Sequence, residues 1–517
     1  MVSDSGPGPR ASDNPTGGLS RRAALRGAAS AVAAGSVAAM VAADPAAAAG
    51  SGPYIVVDAA GGGDYTDLEQ AIAEAPARSH VYVATGTYTV NTGRMSPATG
   101  VRVEGAGYGA YVVARNGLNT SVFTVDSDDV SLERLRIDGN AANQTPDTLN
   151  CVRFTGARGQ ISNCYVHDAA GYNIVGFPGA TDLVIAGNQS YGTSPTRDYP
   201  SEGIELQGTT YSSVVGNVVS NVRSNGILIW NSTTESHHNT VVGNTVRNCR
   251  TSGIELEDGA HDNAITGNTC DGNGWGIWLN DNGNSGSPRS NVISGNAITN
   301  SSNNGIQISG GRDAVITGNT VKSNGLHGIF VGRGRGCIIG ANLVATNSYG
   351  GIVLQDTSDS VCEGNVSRDN GQTSGAGNYR SGIVLLRAAD QVGGNTVSAN
   401  RCYDSQATPT QQYGIAVLHA TSDNYLSDNL LSGNGSSSGA LLISPESVNK
   451  THSPPVRRLT GQVGTSSTGI SHGLPYAPLT VSFIPTTDAL VWKSAASTSS
   501  KVFLQASKPC TVELEVG

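Results

Sequence analysis

The feature that most constrains this chain is a short phrase, Gly-aliphatic-x-aliphatic, which returns at Gly203, Gly226, Gly253, Gly276, Gly305, Gly328, Gly351, Gly382 and Gly414. The spacings are 23, 27, 23, 29, 23, 23, 31 and 32 residues. A fixed minimum with a variable excess describes one structural coil repeated along an axis, with loops inserted at the same corner. Between the phrases a second mark recurs at Asn188, Asn217, Asn244, Asn268, Asn296, Asn319, Asn342, Asn365 and Asn395, mostly as Gly-Asn before a short apolar strand. Asparagine tolerates the left-handed backbone of a tight bend, and its amide can bond to the next asparagine in a stack. These positions are therefore expected to form a ladder.

Side chains of a strand point to opposite faces with period two. Ile204, Ile227, Ile254, Ile277, Ile306, Ile329, Ile352, Ile383 and Ile415 share one face with Leu206, Ile229, Leu256, Leu279, Ile308, Val331, Leu354, Leu385 and Val417. A single coil cannot bury that face, whereas coils stacked at about 4.8 Å per rung build a continuous aliphatic core. The expected fold is all-β, a right-handed parallel β-helix, with the hand taken from the general preference of parallel crossovers.

Composition agrees. A chain of 517 residues could hold two or three ordinary domains, but a repeat core grows along its axis and escapes that count. Sixty-eight Gly, only 6 Phe and 14% charged residues describe short strands and many turns. The net charge of −9 without a Lys/Arg cluster excludes a nucleic-acid partner. Of the eight cysteines, Cys164, Cys249, Cys270, Cys337, Cys362 and Cys402 fall inside the repeat, which predicts buried thiols stacked in turns. No C-x-x-C spacing offers a thiolate metal site.

The start of the chain reads differently. Arg21 and Arg22 precede an Ala-rich, weakly apolar stretch with small-residue exits near Ala49, which resembles a twin-arginine export signal. Residues 1–49 are expected to be removed, leaving a secreted protein with no membrane anchor. Residues 50–450 then form the β-helix, and residues 451–517, where alternating strands meet Pro and Ser turns, form a small β module.

The stretch VDAAGGGDYTDLEQAIAEAPARSHVYVATGTY, residues 57–88, resembles the opening of the pectin-lyase-like β-helix superfamily. The resemblance implies a short amphipathic helix, with Leu68, Ile72 and Ala75 on one face, that caps the first coil. It implies carbohydrate chemistry but not which reaction. The C-terminal module is loosely similar to those of phage-tail-type β-helices, which assist trimerisation or glycan contact.

The outward positions of the phrase form readable columns. Carboxylates and tryptophans crowd residues 203–281, and apolar residues such as Val353, Val384, Leu386 and Leu418 take over after about 350. An indole face stacks on the apolar face of a sugar, and acids bond hydroxyls or move protons. Trp230 and Trp278 are thus candidate sugar platforms, joined in substrate binding by His327, Arg333 and Tyr199; Glu205, Glu255, Glu257, Asp258 and Asp281 are the candidate catalytic acids. Glu205 and Glu255 should lie two rungs apart, roughly 9.6 Å by strand spacing, near the upper end of the ~6.5–9.5 Å of an inverting glycosidase. Asp258 and Asp281 should occupy adjacent rungs, where like charges favour a proton donor. The leading expectation is a glycoside hydrolase that needs no cofactor, acting on a polysaccharide.

Uronic-acid lyase or C5-epimerase chemistry is the second expectation. CYVHDAAGYNIVGF, residues 164–177, is similar in layout to the catalytic rung of alginate C5-epimerases, which implies that His167 and Asp168 with Tyr199 abstract and return a proton. A pectate-lyase arrangement would use Arg197, Asp198, Glu202 and Glu205 around calcium. LHGIFVG, residues 326–332, resembles the His-Gly-Ile segment of polygalacturonases, yet Asn303, Asn304 and Trp275 stand where their aspartates are expected. A third expectation is a non-catalytic glycan-binding protein. The late apolar columns need cover, from the C-terminal module or another copy, and the resemblance favours a homotrimer.

Overall fold

The computed structural model describes residues 52–192, 202–283, 286–389, 393–419, 421, 423–436, 441–444, 451–452, 457–471, 481–485, 489–498 and 500–516. Residues 1–49, Arg197, Asp198 and Tyr199 lie outside the described residues. The chain winds into a right-handed parallel β-helix. Three parallel sheets of 16, 14 and 13 strands run along it, and from strand Arg102–Gly105 onward the chain contributes strands to the three sheets in turn.

Every core position expected from the repeating phrase is realised. Ile204, Leu206, Ile254, Leu256, Ile277 and Leu279 are fully buried, and they stack in register, Ile204 on Ile227 on Ile254 on Ile277. The phrase opens on glycine because the coil is tight there. A Cβ on Gly226 would lie 2.2 Å from Val246 Cγ1 and 2.7 Å from the Gly253 carbonyl oxygen, so no other residue fits without shifting backbone.

The asparagine ladder is real and, among the described residues, one of three. Asn188, Asn217, Asn244, Asn268, Asn296, Asn319, Asn342 and Asn365 bond amide to amide at 2.9–3.0 Å. The next member is not Asn395 but Asn400, followed by Asn429. Asn395 instead bonds to Asn424 at a second corner, the corner that Asn239, Asn263 and Asn291 occupy earlier in the helix. At a third corner Asn324, Asn347, Asn370, Gln411 and Asn434 continue one another. Each amide satisfies backbone groups that a buried turn would otherwise leave unpaired. All eight cysteines are free and buried.

The apolar outer columns are covered by residues of the coils and their insertions. Val353, Val384, Leu386, Ala416 and Leu418 form their own buried cluster, against which Phe330, Tyr379 and Leu442 pack. Tyr379 ends the 3-10 segment Ser374–Tyr379, part of the insertion that lengthens the 351-to-382 spacing to 31 residues.

At the N-terminal side, helix Leu68–Glu74 buries Leu68, Ala71 and Ile72, with Asp67 accepting from the Gln70 amide as its N-cap. Toward the C-terminus, strands Arg457–Val463, Val481–Pro485 and Cys510–Val516 form one antiparallel sheet, and Thr468–Ser471, Val491–Lys493 and Lys501–Ala506 another. Val502, Leu504, Val512 and Leu514 bury themselves in a cluster separate from the main core. No described helix is long and apolar enough to cross a membrane.

Candidate functional sites on two sheets

The third sheet carries the expected acids in the expected register. Glu205 pairs with Leu228 and Leu228 with Glu255, so the two carboxylates stand two rungs apart. Their setting differs from an open groove, since each is only 1% exposed. Trp230 Nε1 donates to Glu205 Oε1 at 2.6 Å. Burial, with the Glu202 charge beside it, pushes the Glu205 carboxyl up to about 8. Glu255 is raised further from the usual carboxylate range, first by burial and then by its hydrogen bond to Glu257. Asn280 Nδ2 donates to both, 3.0 Å to Glu255 Oε1 and 3.3 Å to Glu257 Oε1.

The remaining expected residues separate. Trp278 is half-buried, donates to Ser309 Oγ at 3.2 Å, and stacks on Trp275 with centroids 4.6 Å apart; Trp275 had no place in the expected site. Asp258 sits buried at a left-handed turn position, φ 53°. Asp281 closes its own loop, accepting from Ser287 Oγ at 2.6 Å and Gly283 N at 3.1 Å. His327 is not on a groove: it is buried among Phe330, Tyr349 and Tyr379. Its Nδ1 accepts from the Gly350 amide at 3.1 Å, and burial lowers its pKa to about 4. It is a packing histidine. Arg333 is exposed at another left-handed turn position.

The second sheet holds a cluster of a different character. From Arg136–Asp138 onward its strands are three residues long, so first and third positions face outward and the middle one inward. Tyr111, Arg136, Tyr165 and Gln189 follow one another in register, and beside them run Val113, Asp138, His167 and Tyr191. Arg136 Nε donates to His167 Nε2 at 3.1 Å. A guanidinium only donates, so Nε2 accepts and the imidazole N–H sits on Nδ1. Nδ1 lies 2.9 Å from Asp168 Oδ2 and 3.8 Å from Asp138 Oδ1. The Arg136 guanidinium also lies over the Tyr111 ring at 4.1 Å, and Tyr111 OH donates to Asp138 Oδ2 at 2.6 Å.

Tyr165 and Tyr191 complete the cluster, with centroids 4.5 Å apart and Tyr191 stacked on His167 at 5.1 Å. Burial raises Tyr111 to about 12. Tyr191 is raised as well, by burial first and its bond to Tyr165 second. The tyrosines and Arg136 are half-buried, while His167 lies beneath them. Among the described residues, Asp138, His167 and Asp168 alone bring three ligand atoms within 4.8 Å of one another. The group does not suit a cation, because the Arg136 guanidinium occupies the imidazole nitrogen that a metal would need.

The family model described as "Periplasmic copper-binding protein (NosD)" matches residues 100–324, 181–373 and 289–450. The placements overlap because a repeat aligns at several coil offsets. No curated protein matches the chain. Among solved structures, the pre-mature bacteriophage phi29 gene product 12 is 15% identical over 72% of this chain and 54% of that one, with a TM-score of 0.57. A tailspike double mutant of E. coli bacteriophage HK620, in complex with pentasaccharide, is 12% identical over 84% and 86%, with a TM-score of 0.54. The mannuronan C-5 epimerase AlgE4 A-module of Azotobacter vinelandii is 17% identical over 72% and 91%, at 0.45. The first two likenesses establish the fold and nothing finer.

Proposed function

The chain belongs to the family described as periplasmic copper-binding protein (NosD), a β-helix family whose scaffold fixes no reaction, and we propose that its chemistry is proton transfer on a uronic-acid polysaccharide at the outward patch of the second sheet. The observation that carries this reading is the chain of contacts from Arg136 through His167 to Asp168, with tyrosines around it. A uronate carboxylate draws the Arg136 guanidinium to itself and frees His167 Nε2 as a base. That nitrogen takes the C5 proton, Asp168 stabilises the imidazolium, and the electron pair spreads into the neutralised carboxylate. Burial keeps the Tyr191 hydroxyl protonated, which suits it as a donor. Proton return to the opposite face of C5 gives epimerisation; proton delivery to the departing C4 oxygen gives elimination.

The family description names copper, but the patch does not fit it, because Arg136 holds His167 Nε2, and no step is routed through a metal there. Of the acids considered for a calcium-dependent lyase, Glu202 and Glu205 are buried, while Arg197 and Asp198 lie outside the described residues. A chelator arm in the assay tests calcium directly.

One observation favours a second reading. Glu255 is held protonated beside Glu257, with Trp230, Trp275 and Trp278 on the same sheet, which suits a general acid for glycoside hydrolysis. A single screen separates the readings. Uronic-acid polymers incubated in D2O are followed for deuterium at C5, ultraviolet absorbance and reducing ends. Deuterium or absorbance lost in His167→Gln supports the patch. Reducing ends alone, lost in Glu255→Gln, overturn it in favour of the hydrolase.

The periplasmic description of the family supports export, and twin-arginine transport with release outside the cell is part of the proposal. So are helix Leu68–Glu74 as a cap on the first coil, the C-terminal strands as a separate module and a glycan as the partner.

A further inference from the structure

We propose that the third sheet carries a binding site for an acidic sugar at Arg153, Tyr172, Glu205 and Trp230, with the sugar carboxylate held by the Arg153 guanidinium. This inference rests on the uronate reading for its class of ligand alone and uses none of the residues of that patch. Arg153 is the outward residue of strand Val152–Phe154, half-buried between two fully buried neighbours. Its guanidinium lies over the Phe177 ring at 4.8 Å. Among the described residues that guanidinium has no acidic partner, and its Nε is buried without an acceptor. Structural arginines of this chain do meet a carboxylate, as Arg102 meets Glu133 at 2.8 Å and Arg158 meets Asp129 at 2.6 Å. A ring face attracts the charge but accepts none of the five N–H bonds the group can donate. Phe177 therefore fixes the guanidinium plane and leaves its fork for a carboxylate from outside.

The rest of the site follows from register. Arg153, Val175 and Glu205 succeed one another on one outward column, so cation and acid stand two rungs apart, roughly 9.6 Å. A disaccharide laid along the axis covers about that interval. Glu205 is 1% exposed; its Oε1 accepts from Trp230 Nε1 at 2.6 Å, while its Oε2 is buried with no partner. Burial keeps this carboxyl protonated at neutral pH, so it offers a sugar hydroxyl an O–H and does not repel an anion on Arg153. Trp230, half-buried beside it, supplies an indole for a sugar ring to stack on. Tyr172 borders both ends: its ring is 6.5 Å from that of Phe177, and its hydroxyl is raised by burial first and by the Glu205 and Glu202 carboxyls next. The other charges that reach Tyr172 are Asp147 and Arg223, which neutralise each other in an ion pair of 2.8 Å.

The test is calorimetric titration of the purified full chain with a galacturonate trisaccharide, with its carboxyl-reduced counterpart and with inorganic sulfate. The expected result is two trisaccharide sites per chain, one weakened about 10- to 100-fold in Arg136→Gln and the other by the same factor in Arg153→Gln. Arg153→Lys, which keeps the charge without the fork, should recover only part of the affinity. The reduced sugar and sulfate should bind the third sheet at least 10-fold more weakly than the acid. Without ligand, the urea midpoint of Arg153→Gln should match or exceed that of the wild type, because a half-buried cation without a partner costs stability. A site lost in Arg136→Gln with none lost in Arg153→Gln would overturn this inference and leave the uronate patch standing. Loss in Arg153→Gln alone would support it and count against the patch. Sulfate or reduced sugar bound as tightly as the acid would overturn it, as would a lowered midpoint in Arg153→Gln with binding kept. Should Arg153→Gln not fold, equal binding of the acid and its reduced form by the Arg136→Gln chain would overturn it equally.

Discussion

Arg136 and His167, on adjacent rungs of the second sheet, are joined by a 3.1 Å bond from Nε to Nε2, and this one contact sets the tautomer of the imidazole. If His167 is the base, His167→Gln should lower turnover by about 10²–10⁴-fold. Arg136→Lys keeps the charge but loses the planar fork that reaches both the imidazole and a carboxylate, and should raise KM as well as lower kcat. Circular dichroism of both variants should match the wild type, since both side chains stand on the outward face of the sheet, away from the aliphatic core, although His167 is buried under the tyrosines.

Stability should fall as pH rises. Glu205 and Glu255 have carboxyls raised in the folded state, Glu205 to about 8. Between the ordinary carboxylate range and those raised values the folded chain holds protons that the unfolded chain has lost. The stabilisation is complete below the unfolded pKa and is lost as pH climbs through the folded one. The urea midpoint should therefore drop between about pH 5 and 8, and Glu205→Gln with Glu255→Gln should flatten that slope. A midpoint that is level across this range in the wild type would contradict the burial of these acids.

Asn244 accepts from the Asn217 amide and side chain and donates to the Val214 carbonyl and to Asn268. Asn244→Ala leaves several buried polar groups unpaired and should cost about 2–4 kcal/mol. The same change at Asn116, an exposed turn residue, should cost about 0.5 kcal/mol or less. Chemical denaturation of both variants checks the difference.

Tyr379 packs on the outer cluster of Val353, Val384, Leu386, Ala416 and Leu418. Tyr379→Ser should expose that face and promote self-association, because a contiguous apolar patch on a soluble protein seeks cover. Sedimentation at rising concentration reads the effect. A variant that sediments as the wild type does would show that Tyr379 is dispensable as cover.

The solenoid was legible because its strands obey period two and its phrase marks register, so the core faces of Ile204 and its successors followed from backbone geometry alone. Asn395 was assigned to the wrong corner because insertions lengthen the last coils and Asn400, its replacement in the ladder, follows Ala399 rather than glycine. The patch on the second sheet was only half visible. His167 and Asp168 stood out, but Tyr111, Arg136 and Asp138 belong to coils before Gly203, where no repeating phrase marks the rungs. Aligning the three-residue strands Arg136–Asp138 and Tyr165–His167 by their alternation would have found them. The burial of Glu205 and Glu255 depends on side chains of neighbouring rungs, such as Trp230, and no single strand announces it.

The ladders step from Asn365 to Asn400 and from Asn370 to Gln411 across insertions as if nothing intervened. The molecule therefore keeps length by counting rungs, and extra residues are set aside as loops. Any two outward side chains are separated along the axis by a whole number of steps, a spacing that added loop sequence leaves untouched. A polymer lying along such a surface meets a ruler whose divisions are fixed by backbone hydrogen bonds, while the markings on it are free to change.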